Sequence, residues 1–316
     1  EKLEEEIAAA QNNKVVICLQ EVSQDWEGSL HVYFAKKGFH LVAGRYGKPF
    51  NGYMGVAMAW PTSVFDTVDV NICRLSEQRE EGWPENPKQN VWDNIVLGVQ
   101  SFVDGILKKN EETPPDHWNL SKNRFNTLLT ASLKDKESGT EFAIATYHMP
   151  CAYYCPMAMS IHADLAARHV ERLAERQKAE EEETKAIPFV LAGDFNIKPI
   201  EPVYELLTTG KIDQDSKFYP TPKEGMEWSP TMKQPLKSAY ASFKKEPDFT
   251  NYARCREDEP FIDTLDYIFL SAHWDVNGVL EIPHRDDAKG PFPNLDVQEP
   301  SDHVMIAADI AVMPSS

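Results

Sequence analysis

The sequence has no surplus of positive charge, and that absence narrows what it can bind. Fifty acidic residues stand against 32 lysines and arginines, a net charge of −18 over 316 residues. Non-specific attachment to nucleic acid depends on Lys and Arg neutralising phosphates, so strong non-specific DNA binding is not expected. A phosphate ester remains a compatible substrate, because a carboxylate cluster holding a divalent cation adds acidity and still attracts phosphate through the metal. Long hydrophobic runs are also missing. None approaches the roughly 20 apolar residues of a membrane-spanning helix, and no membrane partner is expected.

Cysteine is sparse. The five present (Cys18, Cys73, Cys151, Cys155 and Cys255) are odd in number and form no dense framework, which suits a reducing, cytoplasmic setting, with nucleus and organelle left open. Cys151 and Cys155 resemble half a zinc site, but no second Cys or His pair follows at ligand spacing. The opening "EKLEEEIAAAQNN" reads as an acidic amphipathic helix and lacks the basic-then-apolar layout of a signal peptide. No repeat, long Gly/Ser linker or composition break divides the chain, so one domain over 1–316 is expected.

What is there is a succession of short β-like runs: "KVVICLQ", "FHLVAGRY", "GVAMAW", "FDTVDVNI", "NTLLTASL", "FAIATYH", "FVLAGDF", "LDYIFL" and "HVMIAADIAV". They alternate or are apolar throughout, and are rich in Val, Ile, Phe and Tyr. Helical patterns separate them, most clearly "MSIHADLAARHVERLAERQKAEEEETK" and "VWDNIVLGVQSFVDGILKKN". The acidic run Glu180 to Glu183 reads as a solvated helix end. Many strands with interspersed helices point to an α/β (α+β) fold, a two-layer β-sandwich with helices outside.

Polar chemistry recurs at the ends of the apolar runs. Glu21 ends "VVICLQE", His148 ends "FAIATYH", and Asp194 and Asn196 end "FVLAGDFN"; Asp266 opens "DYIFL", and Asp302 and His303 open "SDHVMIAADI". Side chains alternate along a strand, so Asp194 and Asn196 aim at one point while Phe195 turns into the core. One or two carboxylates suffice to hold Mg²⁺ beside a phosphate. Phosphoester hydrolysis needs an activated water, a Lewis acid and donors for the developing charge. An Asp266–His303 pair would serve as acid, base or charge stabiliser.

In this order, "LQEV", "RFNTLL", "TYHMP", "GDFNIKP", "TLDYIFLS" and "PSDHVMI" resemble the endonuclease/exonuclease/phosphatase superfamily, and the resemblance covers nearly the whole chain. It implies the deoxyribonuclease-I-like four-layer fold. "EPVYELLTTGKID", "LKSAYAS" and "PDFTNYA" are similar to the branch holding Ccr4-type deadenylases, nocturnin and the Angel proteins. The resemblance implies Glu21 as principal Mg²⁺ ligand, with Mn²⁺ also suitable, and Asp302 as an auxiliary one. It implies Asp194 to orient or deprotonate water, Asn196 to hydrogen-bond the scissile phosphate, and His303, oriented by Asp266, to contact phosphate or transfer a proton. His148 would stabilise the transition state or protonate the leaving oxygen.

Three departures from the pattern accompany the match. The opening strand of the family, which carries an Asn near the metal, has no counterpart ahead of Glu21 in this sequence, so the domain is expected to lack it. The usual "NTH" reads Thr146, Tyr147, His148, and no leucine-rich period is present. For substrate, aromatic residues near the motifs (Tyr53, Tyr153, Tyr154, Trp228, Phe249, Tyr252) are candidates to stack a base. Asn51 occupies a loop where relatives place a substrate contact, and Arg124 could hold a phosphate. The "MPCAYYCPMAM" loop after His148 would wall the cleft and limit substrate length. The expected activity is a Mg²⁺-dependent 3′-to-5′ RNA exonuclease of deadenylase type acting on an RNA 3′ end. Two alternatives stay open: a nucleotide phosphatase acting on NADP or cyclic-phosphate ends, and an inactive RNA- or protein-binding relative.

Overall fold

The computed structural model describes residues 2–9, 14–49, 52–84, 115–176, 186–254 and 259–313. The expected helix at "VWDNIVLGVQSFVDGILKKN", the acidic run 180–183 and Asn51 lie outside the described residues. The acidic opening forms a short helix, α1 (Lys2–Ala9).

The apolar runs form the strands. A six-stranded sheet has the order β4 (Phe65–Arg74), β5 (Thr127–Asp135), β6 (Glu141–His148), β7 (Phe189–Asp194), β11 (Asp266–Leu270), β8 (Lys237–Ser238). A three-stranded sheet has the order β1 (Ile17–Val22), β3 (Gly55–Pro61), β2 (Phe39–Arg45). Every residue of β3 and β7 is buried, as expected of strands covered on both faces. Between the sheets, Val56, Met58 and Trp60 of β3 meet Leu129, Ala131 and Leu133 of β5 and Val190 and Ala192 of β7.

Helices cover both outer faces. The three-stranded sheet is covered by α2 (Gln24–Lys36), whose Phe34 packs with Ile17, Phe39 and Ala59; Ser23 caps it by accepting the Trp26 N–H. The six-stranded sheet is covered by α3 (Pro156–Arg176), whose Ile161, Leu165 and Val170 join Ala145, Tyr147 and Leu191 in the larger core. The layers run helix, sheet, sheet, helix, the architecture expected from the sequence. A further pair, β12 (Trp274–Val279) and β13 (Ala308–Val312), contributes Trp274 and Ile310 to the intersheet core. The run "HVMIAADIAV" is thus strand only over its second half. Among the described residues no helix is long and apolar enough to cross a membrane, and Cys18, Cys73, Cys151 and Cys155 are unbridged.

Candidate active site

The sheet topology collects the polar strand ends. β6 and β7 are parallel, which puts their C-terminal residues His148 and Asp194 opposite each other. β11 is antiparallel to β7, so its first residue, Asp266, faces Asp194 at the same end. Three central strands therefore present His148, Asp194 and Asp266 in one row. The glycine before Asp194 is a packing requirement: Gly193 has φ +145°, and a Cβ there would collide with the Tyr147 carbonyl of the neighbouring strand.

Around this row the hydrogen bonds are closely specified. His148 Nε2 lies 3.3 Å from Asp194 Oδ2, and its Nδ1 lies 2.6 Å from the Tyr46 hydroxyl. The Asn126 amide donates to the His148 carbonyl at 2.8 Å. Asp266 Oδ2 meets His303 Nδ1 at 2.8 Å and accepts the Thr250 hydroxyl at 2.6 Å. That hydroxyl in turn accepts the N–H groups of Leu265 and Asp266. His303 Nε2 is 4.0 Å from Asp194 Oδ2. The segment bearing His303 is held by main-chain bonds from Tyr252 N–H to the Asp302 carbonyl and from Val304 N–H to the Thr250 carbonyl, both 2.8 Å.

Asn196 sits in the left-handed region with φ +52°. Its N–H donates to Asp194 Oδ1 at 2.8 Å and its side-chain amide donates to the Met149 carbonyl at 3.1 Å, an Asx-type turn that asparagine tolerates. Glu21, with φ +57°, shares this conformation. The β1–β3 register shifts between Leu19 and Val22, so Gln20 and Glu21 together oppose one residue of β3. Such a bulge re-aims side chains at the end of a strand. Gln20 Nε2 donates to Thr146 Oγ1 at 2.9 Å, tying this bulge to β6 two residues before His148.

Charge is crowded here. Glu21 is exposed at its outer side, yet partial desolvation by the surrounding protein, reinforced by Asp302, raises its carboxyl above the ordinary range, and among the described residues no hydrogen bond reaches that carboxylate. Burial and the Asp266 charge push Asp194 up strongly. Burial, with His303 as a like charge, lowers His148 to about 4. For His303 burial favours the neutral form, but the Asp266 bond and the charges of Asp194 and Asp302 outweigh it and hold the ring protonated. Desolvated, mutually repelling carboxylate oxygens are the donor set that suits a hard divalent cation. Asp194, Asp266 and His303 each offer an atom within 4.8 Å of the others.

The structure thus brings Glu21, His148, Asp194, Asn196, Asp266, Asp302 and His303 to one cleft. Arg124, two residues before the Asn126 that holds the His148 carbonyl, donates from Nη2 to the Tyr154 hydroxyl at 2.7 Å. Phe249 is a correction: its side chain is 0% exposed and edge-on to Tyr252, so packing uses the surface a base would need. Trp228 is likewise buried, and Tyr252 packs against Phe249 and Phe292. Tyr53, Tyr153 and Tyr154 are exposed. Sequence reasoning missed Tyr46, Thr250 and Asn126, and also Phe261, an exposed ring with Lys198 Nζ 5.1 Å from its centroid. Thr250 lies inside the "PDFTNYA" segment and Asn126 inside "RFNTLL", the two signals that pointed near them.

The model of the "Endonuclease/Exonuclease/phosphatase family" matches residues 1–303. "Nocturnin" of Drosophila melanogaster is 26% identical over 211 residues, 62% of this chain and 29% of that protein. "Carbon catabolite repressor protein 4 homolog 4" of Arabidopsis thaliana is 32% identical over 174 residues, 54% of this chain and 37% of that protein. This chain therefore spans about a third of the length of those curated relatives. The human nocturnin catalytic domain with bound sulfate superimposes with a TM-score of 0.59 at 20% identity, covering 98% of this chain and 85% of that one. ANGEL2, a 2′,3′-cyclic phosphatase, gives 0.65 at 18% identity, covering 98% and 84%. The two structures establish the shared fold.

Proposed function

The chain belongs to the endonuclease/exonuclease/phosphatase family, and from that premise we propose that it is a metal-dependent phosphoester hydrolase, a 3′-to-5′ RNA exonuclease of deadenylase type releasing 5′-nucleotides. The observation that carries the reading is the row His148–Asp194–Asp266 with His303 hydrogen-bonded to its end. Glu21, with Asp302 beside it, would hold Mg²⁺ or Mn²⁺, which when bound polarises a phosphoryl oxygen and offsets developing negative charge. Asp194 accepts the proton of the attacking water as its oxygen bonds to phosphorus. The bond from phosphorus to the 3′ oxygen breaks, and that oxygen takes a proton from solvent while the neutral His148 ring donates a hydrogen bond from Nε2 to the developing charge. His303, kept protonated and oriented by Asp266, places a donor at the phosphate. Asn196, fixed by two hydrogen bonds, turns its amide to the same phosphate.

The exposed rings Tyr153 and Tyr154, in the loop that follows His148, support a nucleotide substrate, because stacking on aromatic faces is tolerant of sequence. A gel assay with 5′-labelled oligoadenylate, mixed-sequence RNA and Mg²⁺ tests the reading. A ladder shortening from the 3′ end, faster on oligoadenylate and lost in Asp194→Ala, is expected. An unmoved band sinks the exonuclease reading. Phosphate release from NADP and cyclic-phosphate ends, measured with the same protein pair, then decides the nucleotide-phosphatase alternative.

A further inference from the structure

Arg124 carries a charge that the described protein does not match. Arg45, Arg74, Arg79, Arg168, Arg172 and Arg285 each meet a carboxylate, and Arg254, which meets none among the described residues, is exposed to solvent. Arg124 meets none among the described residues, in a chain with 50 acidic side chains. It is half-buried, and its Nε is fully buried without a hydrogen-bond partner. A buried donor left unmade is costly unless an acceptor arrives. Among the described residues the one side-chain bond of this guanidinium, from Nη2 to the Tyr154 hydroxyl at 2.7 Å, goes to a neutral group.

The main chain at Arg124 is locked. Its carbonyl accepts Arg74 Nε at 2.9 Å and Ser76 Oγ at 2.8 Å, and its N–H donates to the Ser121 carbonyl. Two residues on, Asn126 holds the His148 carbonyl. The loop that follows His148 carries both Met149, whose carbonyl accepts the Asn196 amide, and Tyr154, the partner of this guanidinium, which ties Arg124 to the row through bonded neighbours. Tyr154 and its neighbour Tyr153 are 52% and 79% exposed, so the site opens to solvent. A planar fork of donors with an unmatched charge, positioned in advance beside a phosphoester site, fits a phosphate.

We propose that Arg124 and Tyr154 form a second phosphate subsite, so that the preferred substrate carries a phosphate next to the one cleaved. This rests on the hydrolase reading above. Tyr154 would accept from Arg124, as it does now, and donate its own hydrogen to the bound phosphate.

Three adenosine dinucleotides separate the outcomes: ApA with one phosphate, and pApA and ApAp with a second on either side. For the wild type, kcat/KM on the better two-phosphate substrate should exceed that on ApA by about tenfold or more, through KM. In Arg124→Ala that ratio should fall to near one. Arg124→Lys should recover only part of it, since a point charge lacks the fork, and Tyr154→Phe should lower it less. Arg124→Met, which keeps the stem, serves if thermal melts show Arg124→Ala unfolded. A wild-type ratio near one, or a ratio unchanged in the Arg124 variants, overturns the subsite. If the wild type cleaves none of the three, the exonuclease reading fails, and equilibrium dialysis then decides the subsite. Binding of adenosine 3′,5′-bisphosphate tighter than adenosine 5′-monophosphate by about tenfold, lost in Arg124→Ala, supports it; equal binding overturns it.

Discussion

The Tyr46 hydroxyl lies 2.6 Å from His148 Nδ1 and couples the end of one sheet to the His148–Asp194–Asp266 row of the other. Burial, with Glu21 and Asp194 nearby, pushes the Tyr46 hydroxyl far above its ordinary range, so it stays protonated and donates. The ring nitrogen facing Asp194 then carries the hydrogen, which fixes the tautomer. Tyr46→Phe is expected to lower kcat about tenfold with little change in KM, and to cost roughly 1–2 kcal/mol of stability. In a background of His148→Asn the same substitution should add little to the kinetic loss. A full additive loss in steady-state kinetics would show that Tyr46 does not act through His148.

Thr250 is the hub beneath Asp266, donating one hydrogen bond and accepting two in a fully buried position. Thr250→Val keeps the shape but leaves two main-chain N–H groups unpaired, and should cost roughly 2–4 kcal/mol. Thr250→Ser should restore most of it. Urea denaturation compares the three proteins; a valine variant as stable as the wild type would remove Thr250 from the account.

Gly193 stands where β7 presses against β6, and its substitution should fail for steric reasons. Gly193→Ala places a methyl against the Tyr147 carbonyl while also demanding a positive φ. We expect a loss above roughly 3 kcal/mol or no folded protein at all. An alanine variant melting within a few degrees of the wild type contradicts this.

His162 predicts a pH dependence away from the cleft. It is fully buried, bonded to the Tyr147 hydroxyl at 2.9 Å and the Ser121 carbonyl at 3.1 Å. Burial lowers it to about 4 from an ordinary value of 6.5. The folded state therefore binds this proton more weakly than the unfolded chain. The stability this represents is present above pH 6.5 and is lost as pH falls from there towards about 4, up to roughly 3 kcal/mol. Stability measured in urea across that range should flatten in His162→Gln; an unchanged slope would place the acid lability elsewhere.

Glu21 is the residue on which metal affinity should turn. Mg²⁺ is expected to raise the thermal midpoint of the wild type by mass action, and Glu21→Gln should weaken that shift by about tenfold in concentration. Chelation should abolish turnover in the wild type and reverse on adding Mg²⁺. A glutamine variant with an undiminished Mg²⁺-induced shift would move the cation to other ligands.

Much of the fold was written locally. The apolar runs "GVAMAW" and "FVLAGDF" became β3 and β7, buried at every position, because continuous hydrophobicity suits only a strand covered on both faces. The motif residues were legible because each stands where an apolar run stops. Phe249 misled for the same reason that such positions are hard to read: an aromatic residue near a motif has the same local pattern in a core or at a rim. Only the packing against Tyr252 distinguishes them. Tyr46 carried no signal, since its partner is 102 residues away.

Local sequence determined which residues carry chemistry and which runs are buried, since hydrophobicity and side-chain period act over a few residues. What only the tertiary structure decided is convergence. Parallel pairing of β6 with β7 and antiparallel pairing of β11 put His148, Asp194 and Asp266 in one row. The bulge at Glu21 and the Gln20–Thr146 bond bring the other sheet's carboxylate alongside. Register and strand direction are set by contacts between residues 46 (His148–Asp194), 72 (Asp194–Asp266) and 126 (Gln20–Thr146) positions apart, and no short window of sequence contains them.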